Sequence, residues 1–404
     1  MEIFERLGLD IKPIINAAGQ LTMYGGATMP QEVVDAMSEV AHTAVRVDEL
    51  QAAASKFIAK ITGAEAGYVT CGCAAALMAA SAACLTGYNV DSINRLPDTS
   101  GIPNEILMVA SQRNVGYTPV LCAAGAKIVY VGMGQQTLVE DFEHAITNRT
   151  VAIFYYYGLD DGIPPLEEVV QLGKKCNIPI ILDAANGVPP VENLRKFISM
   201  GVDLVAISGG KGIRGPQASG LLFGRRDLIA AASLNYFTPG FASGLVTYEQ
   251  WAPPPSLVPK EKMRDVPNLP VGRGLKVSKE AVIGLLTALQ IRTDEERNAK
   301  EMERLRSLLE PIVARCEGIP GLQIERGEFP ARGFPTLDIT VDTLKTGMSI
   351  DQLVQKMKDG EPPIYFLALQ PQILKGKFII NSCNLNEEQV SIVADRLYAA
   401  FTGQ

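Results

Sequence analysis

Residues 207–224 read ISGGKGIRGPQASGLLFG, and this run decides how the rest of the chain is read. A strand-like stretch, DLVAIS at 203–208, delivers the chain to one lysine, Lys211, set among Gly209, Gly210, Gly212 and Gly215; GLLF at 220–223 then reads as another strand. A solvated lysine needs no such glycines. They mark either a surface turn or a backbone that must come very close to something held by the amine.

Working outward, AGYVT (66–70), EILMVAS (105–111), KIVYVG (127–132), VAIFYYY (151–157) and IPIILD (178–183) are further apolar runs, several separated by helical patterns such as PLEEVVQLGKKC and VENLRKFISMG. Strands apolar throughout and joined by helices predict an α/β fold with a mostly parallel seven-stranded sheet covered on both faces. Ligands of such sheets sit outside the carboxyl ends of the strands. At 404 residues the chain exceeds the usual single domain of about 100–200 residues, so two lobes are expected.

The proline-rich stretch 239–272 reads as a long ordered loop over a site or a subunit contact. From Ser278 a helical pattern runs for about 40 residues, which would measure roughly 60 Å unbroken, so a kink or break is expected. TLDITVD (336–342), PIYFLAL (363–369) and KFIINSC (377–383) read as a small antiparallel sheet closed by the helix NEEQVSIVADRLYAAF. The expected division is an N-terminal segment 1–45, a large domain 46–277 and a small α+β C-terminal domain 278–404.

Composition narrows the function classes. Apolar residues make up 47% and aromatics 6%, the net charge is −7, and the basic residues are dispersed, which disfavours nucleic acid as a partner. The opening MEIFERLGLD lacks a signal-peptide layout and no apolar run reaches the ~20 residues that span a bilayer, so a cytoplasmic protein without membrane contact is expected. Seven scattered cysteines suit a reducing compartment. Cys71 and Cys73 form a C-x-C, but no second pair follows and the chain has two histidines, so no metal site is expected.

Asp183 ends the run IPIIL on a charge, where a buried carboxylate needs a cation or donors. One βαβ step later comes Lys211, expected at the same sheet edge. The two form a salt bridge, or they grip the two reactive ends of pyridoxal phosphate, the lysine on the aldehyde and the aspartate on the ring nitrogen. A phosphate seat is offered by TCGCAAALM (70–78), where Cys71, Gly72, Cys73 and Ala74 form a strand-to-helix turn; read alone, the motif is also a close-packed turn. Ser208 adds a hydroxyl. The lysine is followed by Gly212 rather than Ser or Thr, which excludes a P-loop.

These blocks, with ILDAANG (181–187), INAAGQLTMYGGATMPQEVVDAM (15–37) and VGRGLKVSKEAVIGLLTAL (271–289), resemble the selenocysteine-synthase-like branch of fold type I pyridoxal-phosphate enzymes. That branch includes bacterial L-seryl-tRNA selenium transferases and D-glucosaminate-6-phosphate ammonia-lyases. The resemblance implies Lys211 as the cofactor lysine, Asp183 as the pyridinium partner, and Cys71 to Ala74 with Ser208 as the phosphate seat. It puts Arg273 near a phosphate or substrate anion, and Asn16, Gln20 and Thr22 on a loop over the substrate. Gln112 and Arg113 fall where a flat side chain covers the ring, with Arg113 favoured, and one of Tyr155, Tyr156 and Tyr157 is expected at the cofactor's phenolic oxygen. Asp160 and Asp161 read as turn residues.

Two departures stand out. No arginine for a substrate carboxylate occurs in 362–384, and the chain opens almost at INAAG, without the extra N-terminal domain expected of tRNA-acting members. The implied activity is a homo-oligomeric lyase, a homodimer or larger, that removes an α-proton and a β-group from a small amino acid. A racemase, a β-replacement enzyme and a non-catalytic scaffold of the same fold are the alternatives.

Overall fold

The computed structural model describes residues 2–114, 118–132, 136–158, 161–236, 246–328 and 333–403. Its strands are β1 (Ile15–Ala17), β2 (Ala66–Thr70), β3 (Glu105–Val109), β4 (Lys127–Val131), β5 (Thr150–Tyr156), β6 (Ile180–Asp183), β7 (Leu204–Ser208), β8 (Gly220–Gly224), β9 (Leu322–Glu328), β10 (Pro335–Val341), β11 (Ile364–Phe366) and β12 (Lys377–Asn381). The chain divides into two compact units, residues 29–293, and residues 1–28 with 294–404.

In the larger unit seven strands lie in the order β2-β8-β7-β6-β5-β3-β4. All pairings are parallel except those of β8, which is antiparallel to both β2 and β7. Every apolar run read as a strand between 66 and 223 is one of these seven. Residues of β3, β6 and β8 are buried throughout, because helices cover both faces of the sheet. One apolar core carries the helices Cys73–Thr86 and Arg226–Tyr236; the opposite core carries Val47–Thr62, Leu166–Cys176 and Lys279–Thr293. The helix Cys73–Thr86 is nearly all alanine and small residues, which lets it bury almost its whole circumference.

The 40-residue helical pattern is broken, as expected, into three helices: Lys279–Thr293, Glu295–Leu308 and Glu310–Cys316. Asp294 causes the first break, its carboxylate accepting the Arg297 N–H at 3.1 Å as an N-cap, and Pro311 sits in the first turn of the third helix. The helix Gln31–Ala41 packs on Lys279–Thr293 within the larger unit, where Gly284 leaves room for Met37. The unit boundaries therefore fall at 28/29 and 293/294, away from the expected 45/46 and 277/278.

The smaller unit holds an antiparallel sheet ordered β12-β10-β9, covered by helices that include Glu387–Thr402. PIYFLAL is corrected: β11 pairs in parallel with β1, touching the antiparallel sheet through a single bridge, Leu367 to Ile379. The third antiparallel strand is β9, LQIERGE, too charged to register as a strand in the sequence. No helix among the described residues is long and apolar enough to cross a membrane. Residues 239–245 of the proline-rich stretch lie outside the described residues.

Candidate active site

β3, β5, β6 and β7 run in one direction, and β2 joins them because β8 reverses twice. Their carboxyl ends share one sheet edge. Asp183 closes β6 there, fully buried and in register with Tyr156 of β5 and Ala206 of β7. Alternation puts its side chain on the face of the helix Cys73–Thr86, the face to which Ile181 and Ala206 belong. Its Oδ1 accepts the Ala185 N–H at 3.0 Å and lies 3.8 Å from the Cys73 Sγ, whereas Oδ2, among the described residues, takes no hydrogen bond. Burial pushes the carboxyl from 3.8 up to about 6, opposed by the Ala185 N–H, the Lys211 charge and the Cys73 thiol. Lys211 thus acts electrostatically on both Asp183 and Cys73.

The loop that carries Lys211 is locked to its own chain. Gly209 N–H bonds Ser219 O, Gly215 N–H bonds Gly209 O, and Arg214 N–H bonds Lys211 O, each at 2.9 Å. A Cβ at 209 would strike Ser219 Oγ, one at 210 the Gln217 side chain, and one at 212 the Val188 carbonyl. Close packing against Ser219, Gln217 and the segment after β6 leaves no room for a side chain at 209, 210 or 212.

Gly72 adopts φ +149°, a conformation reserved for glycine, and opens the helix at Cys73. The first helical bond runs from Ala76 N–H to Gly72 O at 3.0 Å, so the N–H groups of Cys73, Ala74 and Ala75 lie at the helix's positive end. Gly220 packs on Gly72 too tightly for any side chain, and Ser208, half-buried, is its partner across β7 and β8. Cys71 departs from expectation: its N–H is bound to Tyr236 Oη at 2.8 Å. Arg273 sits half-buried on the turn Val271–Gly274, whose Gly272 packs against Asn235 O and the Tyr236 backbone. Tyr236 was not singled out in the sequence, since nothing in the spacing of SLNY links it to residue 71.

Arg113 and Gln112 face different ways. Arg113 is exposed, its guanidinium 4.2 Å from the Tyr130 ring centroid, because the turn Ala110–Gln112 directs its last residue inward and the next outward. Gln112 is the buried one, its Nε2 donating to Tyr156 O at 3.1 Å. Of the tyrosines, Tyr155 donates to Pro164 O and Tyr157 stands edge-on to Phe197, both with the opposite core; Tyr156 alone shares the Asp183 face. Asp161 is exposed and Asp160 lies outside the described residues.

In the smaller unit the Asn16 amide closes its own loop, donating to Gly19 O at 3.0 Å and accepting from Ala18 N–H at 3.1 Å. Gln20 is 3% exposed, and neither end of its amide meets a partner among the described residues. Thr22 is exposed at the start of a short turn.

Residues 14–238 match the family model of L-seryl-tRNA selenium transferase. The chain belongs to that family. It is 31% identical over 369 residues to the 5'-C-glycyluridine monooxygenase-decarboxylase of a Streptomyces species, spanning 88% of this chain and 82% of that one. It is 28% identical over 404 residues to the D-glucosaminate-6-phosphate ammonia lyase of Salmonella typhimurium, spanning 98% and 96%. A solved D-glucosaminate-6-phosphate ammonia-lyase superposes with a TM-score of 0.77 at 25% identity, over 99% of this chain and 98% of that one. This member of the selenium transferase family is a pyridoxal-5'-phosphate-dependent enzyme of fold type I. The sheet edge fits that cofactor: Asp183 Oδ2 is a buried acceptor lacking a donor among the described residues, and a helix N-terminus opens beside it.

Proposed function

We propose that the chain is a lyase that removes the α-proton and the β-group of a small β-substituted amino acid, with water completing release of ammonia and a 2-oxo acid. The observation that carries this reading is the buried Asp183 carboxylate, its Oδ2 unshared, under the direct electrostatic influence of the amine on the locked 207–220 loop. When bound, pyridoxal 5'-phosphate supplies an electron sink for charge developing at the substrate Cα. Asp183 Oδ2 holds a proton on the ring nitrogen, Lys211 Nζ takes the α-proton, and the rigid loop keeps that nitrogen in place. The N–H groups after Gly72 and the Ser208 hydroxyl receive the phosphate, with Cys71 supporting through the bond to Tyr236. Gln112 and Arg113 stand where a side chain covers the ring, Gln112 being the buried one, and Arg273 meets a second anion. Asn16 closes the loop that carries Gln20 and Thr22.

A relative that is an ammonia lyase by name supports release of ammonia. The family model favours one alternative, β-replacement, in which a nucleophile adds where the β-group left. The net charge of −7 favours a free amino acid over a tRNA-linked one. A cytoplasmic homodimer, or a larger assembly of dimers, completes the reading.

The test is a screen of D- and L-β-hydroxyamino acids, including phosphorylated ones, for ammonia and 2-oxo acid. Stoichiometric release of both from one substrate is expected, and Lys211→Ala should abolish it. Exchange of the α-proton with solvent deuterium without 2-oxo acid would replace the lyase with a racemase.

A further inference from the structure

Cys73 does something the phosphate-seat reading does not use. Its backbone begins the helix, while its side chain turns away from that end and lies 3.8 Å from Asp183 Oδ1, the oxygen that also accepts the Ala185 N–H. A carboxylate held at one oxygen by two donors from different segments cannot rotate freely. Its other oxygen is thereby fixed in direction, and it is Oδ2 that has no partner among the described residues.

We propose that Cys73 is a positioning residue: its thiol and the Ala185 N–H together clamp Oδ1 and present Oδ2 to the ring nitrogen. This rests on the reading of Asp183 as the ring-nitrogen partner. Cys73 is a buried residue on a helix packed on nearly all sides, with the preceding Gly72 fixed in a glycine-only conformation, so its thiol has little freedom to leave. Burial and the adjacent carboxylate keep it protonated, hence a donor and not a nucleophile. The Lys211 charge acts on Asp183 as well, but a Coulomb attraction has no preferred direction, whereas an S–H at the start of a helix is directional.

Two measurements on the full-length chain test this. In the cofactor-free protein, the S–H stretching band of Cys73, identified by its loss in Cys73→Ala, should move to higher frequency in Asp183→Ala, because the acceptor is gone. Separately, titration with pyridoxal 5'-phosphate followed by absorbance should show affinity about three- to tenfold weaker in Cys73→Ala, the scale of one neutral hydrogen bond, with the cofactor-free thermal midpoint nearly unchanged. An unmoved band, or parental cofactor affinity in Cys73→Ala, overturns the clamp. If Asp183→Ala weakens the cofactor and Cys73→Ala does not, the clamp alone falls. If Asp183→Ala binds the cofactor as the parent does, the reading of Asp183 falls with it.

Discussion

The burial of Asp183 has opposite consequences for stability and for function. Its carboxyl ionises at 3.8 when exposed in the unfolded chain and at about 6 in the folded, cofactor-free protein. The folded state therefore binds that proton more tightly, so the contribution is full below 3.8 and is lost as pH rises through 6. The difference amounts to about 3 kcal/mol. Urea unfolding of parent and Asp183→Asn without cofactor should show the parent losing about that much relative to the variant between pH 4 and pH 7. Cofactor binding should run the other way, weakening as pH falls through 6, since the ring nitrogen needs the anion. A pH-independent difference between the two proteins would mean that the carboxylate is solvated. Asp183→Asn should keep the cofactor yet turn over at least about a hundredfold more slowly, because an amide does not stabilise a cationic ring nitrogen as an anion does.

At the scale of elements, the lysine loop works by exclusion of side chains. Gly212→Ala would drive a methyl into the Val188 carbonyl, and should cost at least about 2 kcal/mol by chemical denaturation while displacing Lys211 enough to lower turnover. Gly274→Ala, next to Arg273 with nothing within 4 Å of the added carbon, should change stability by less than about 0.5 kcal/mol. Equal effects from the two would remove the packing explanation. The strands of the large sheet were legible because each carries an apolar run, buried on both faces in all but the edge strand β4 and the ends of β5 and β7. β9 was not, since LQIERGE is a charged, largely exposed edge strand of its sheet. The pairing of β11 with β1 joins residues 15–17 to 364–366, a separation no local pattern encodes. The same limit hid Tyr236 from Cys71 and Cys73 from Asp183, whereas Asp183 and Lys211 themselves were legible because strand ends and glycine spacing are local. Which of Gln112 and Arg113 faces inward was not legible, because a one-residue difference on a tight turn decides it.

At the scale of the whole molecule, two units are each built around their own core, one from residues 29–293 and one from residues 1–28 with 294–404. The expected boundaries missed by about one helix on each side, since helix 31–41 is held by helix 279–293 and sequence distance does not reveal that packing. Asp294, which begins the helix Glu295–Leu308, is a stability element of the smaller unit: Asp294→Ala should cost about 1 kcal/mol in chemical denaturation and leave cofactor affinity unchanged. The most direct measurement concerns the amine on which the chemistry turns. Incubation with pyridoxal 5'-phosphate, borohydride reduction and peptide mass spectrometry should find one phosphopyridoxyl group, on Lys211, and none in Lys211→Ala. Attachment at another lysine, or no stable attachment, would contradict the site described.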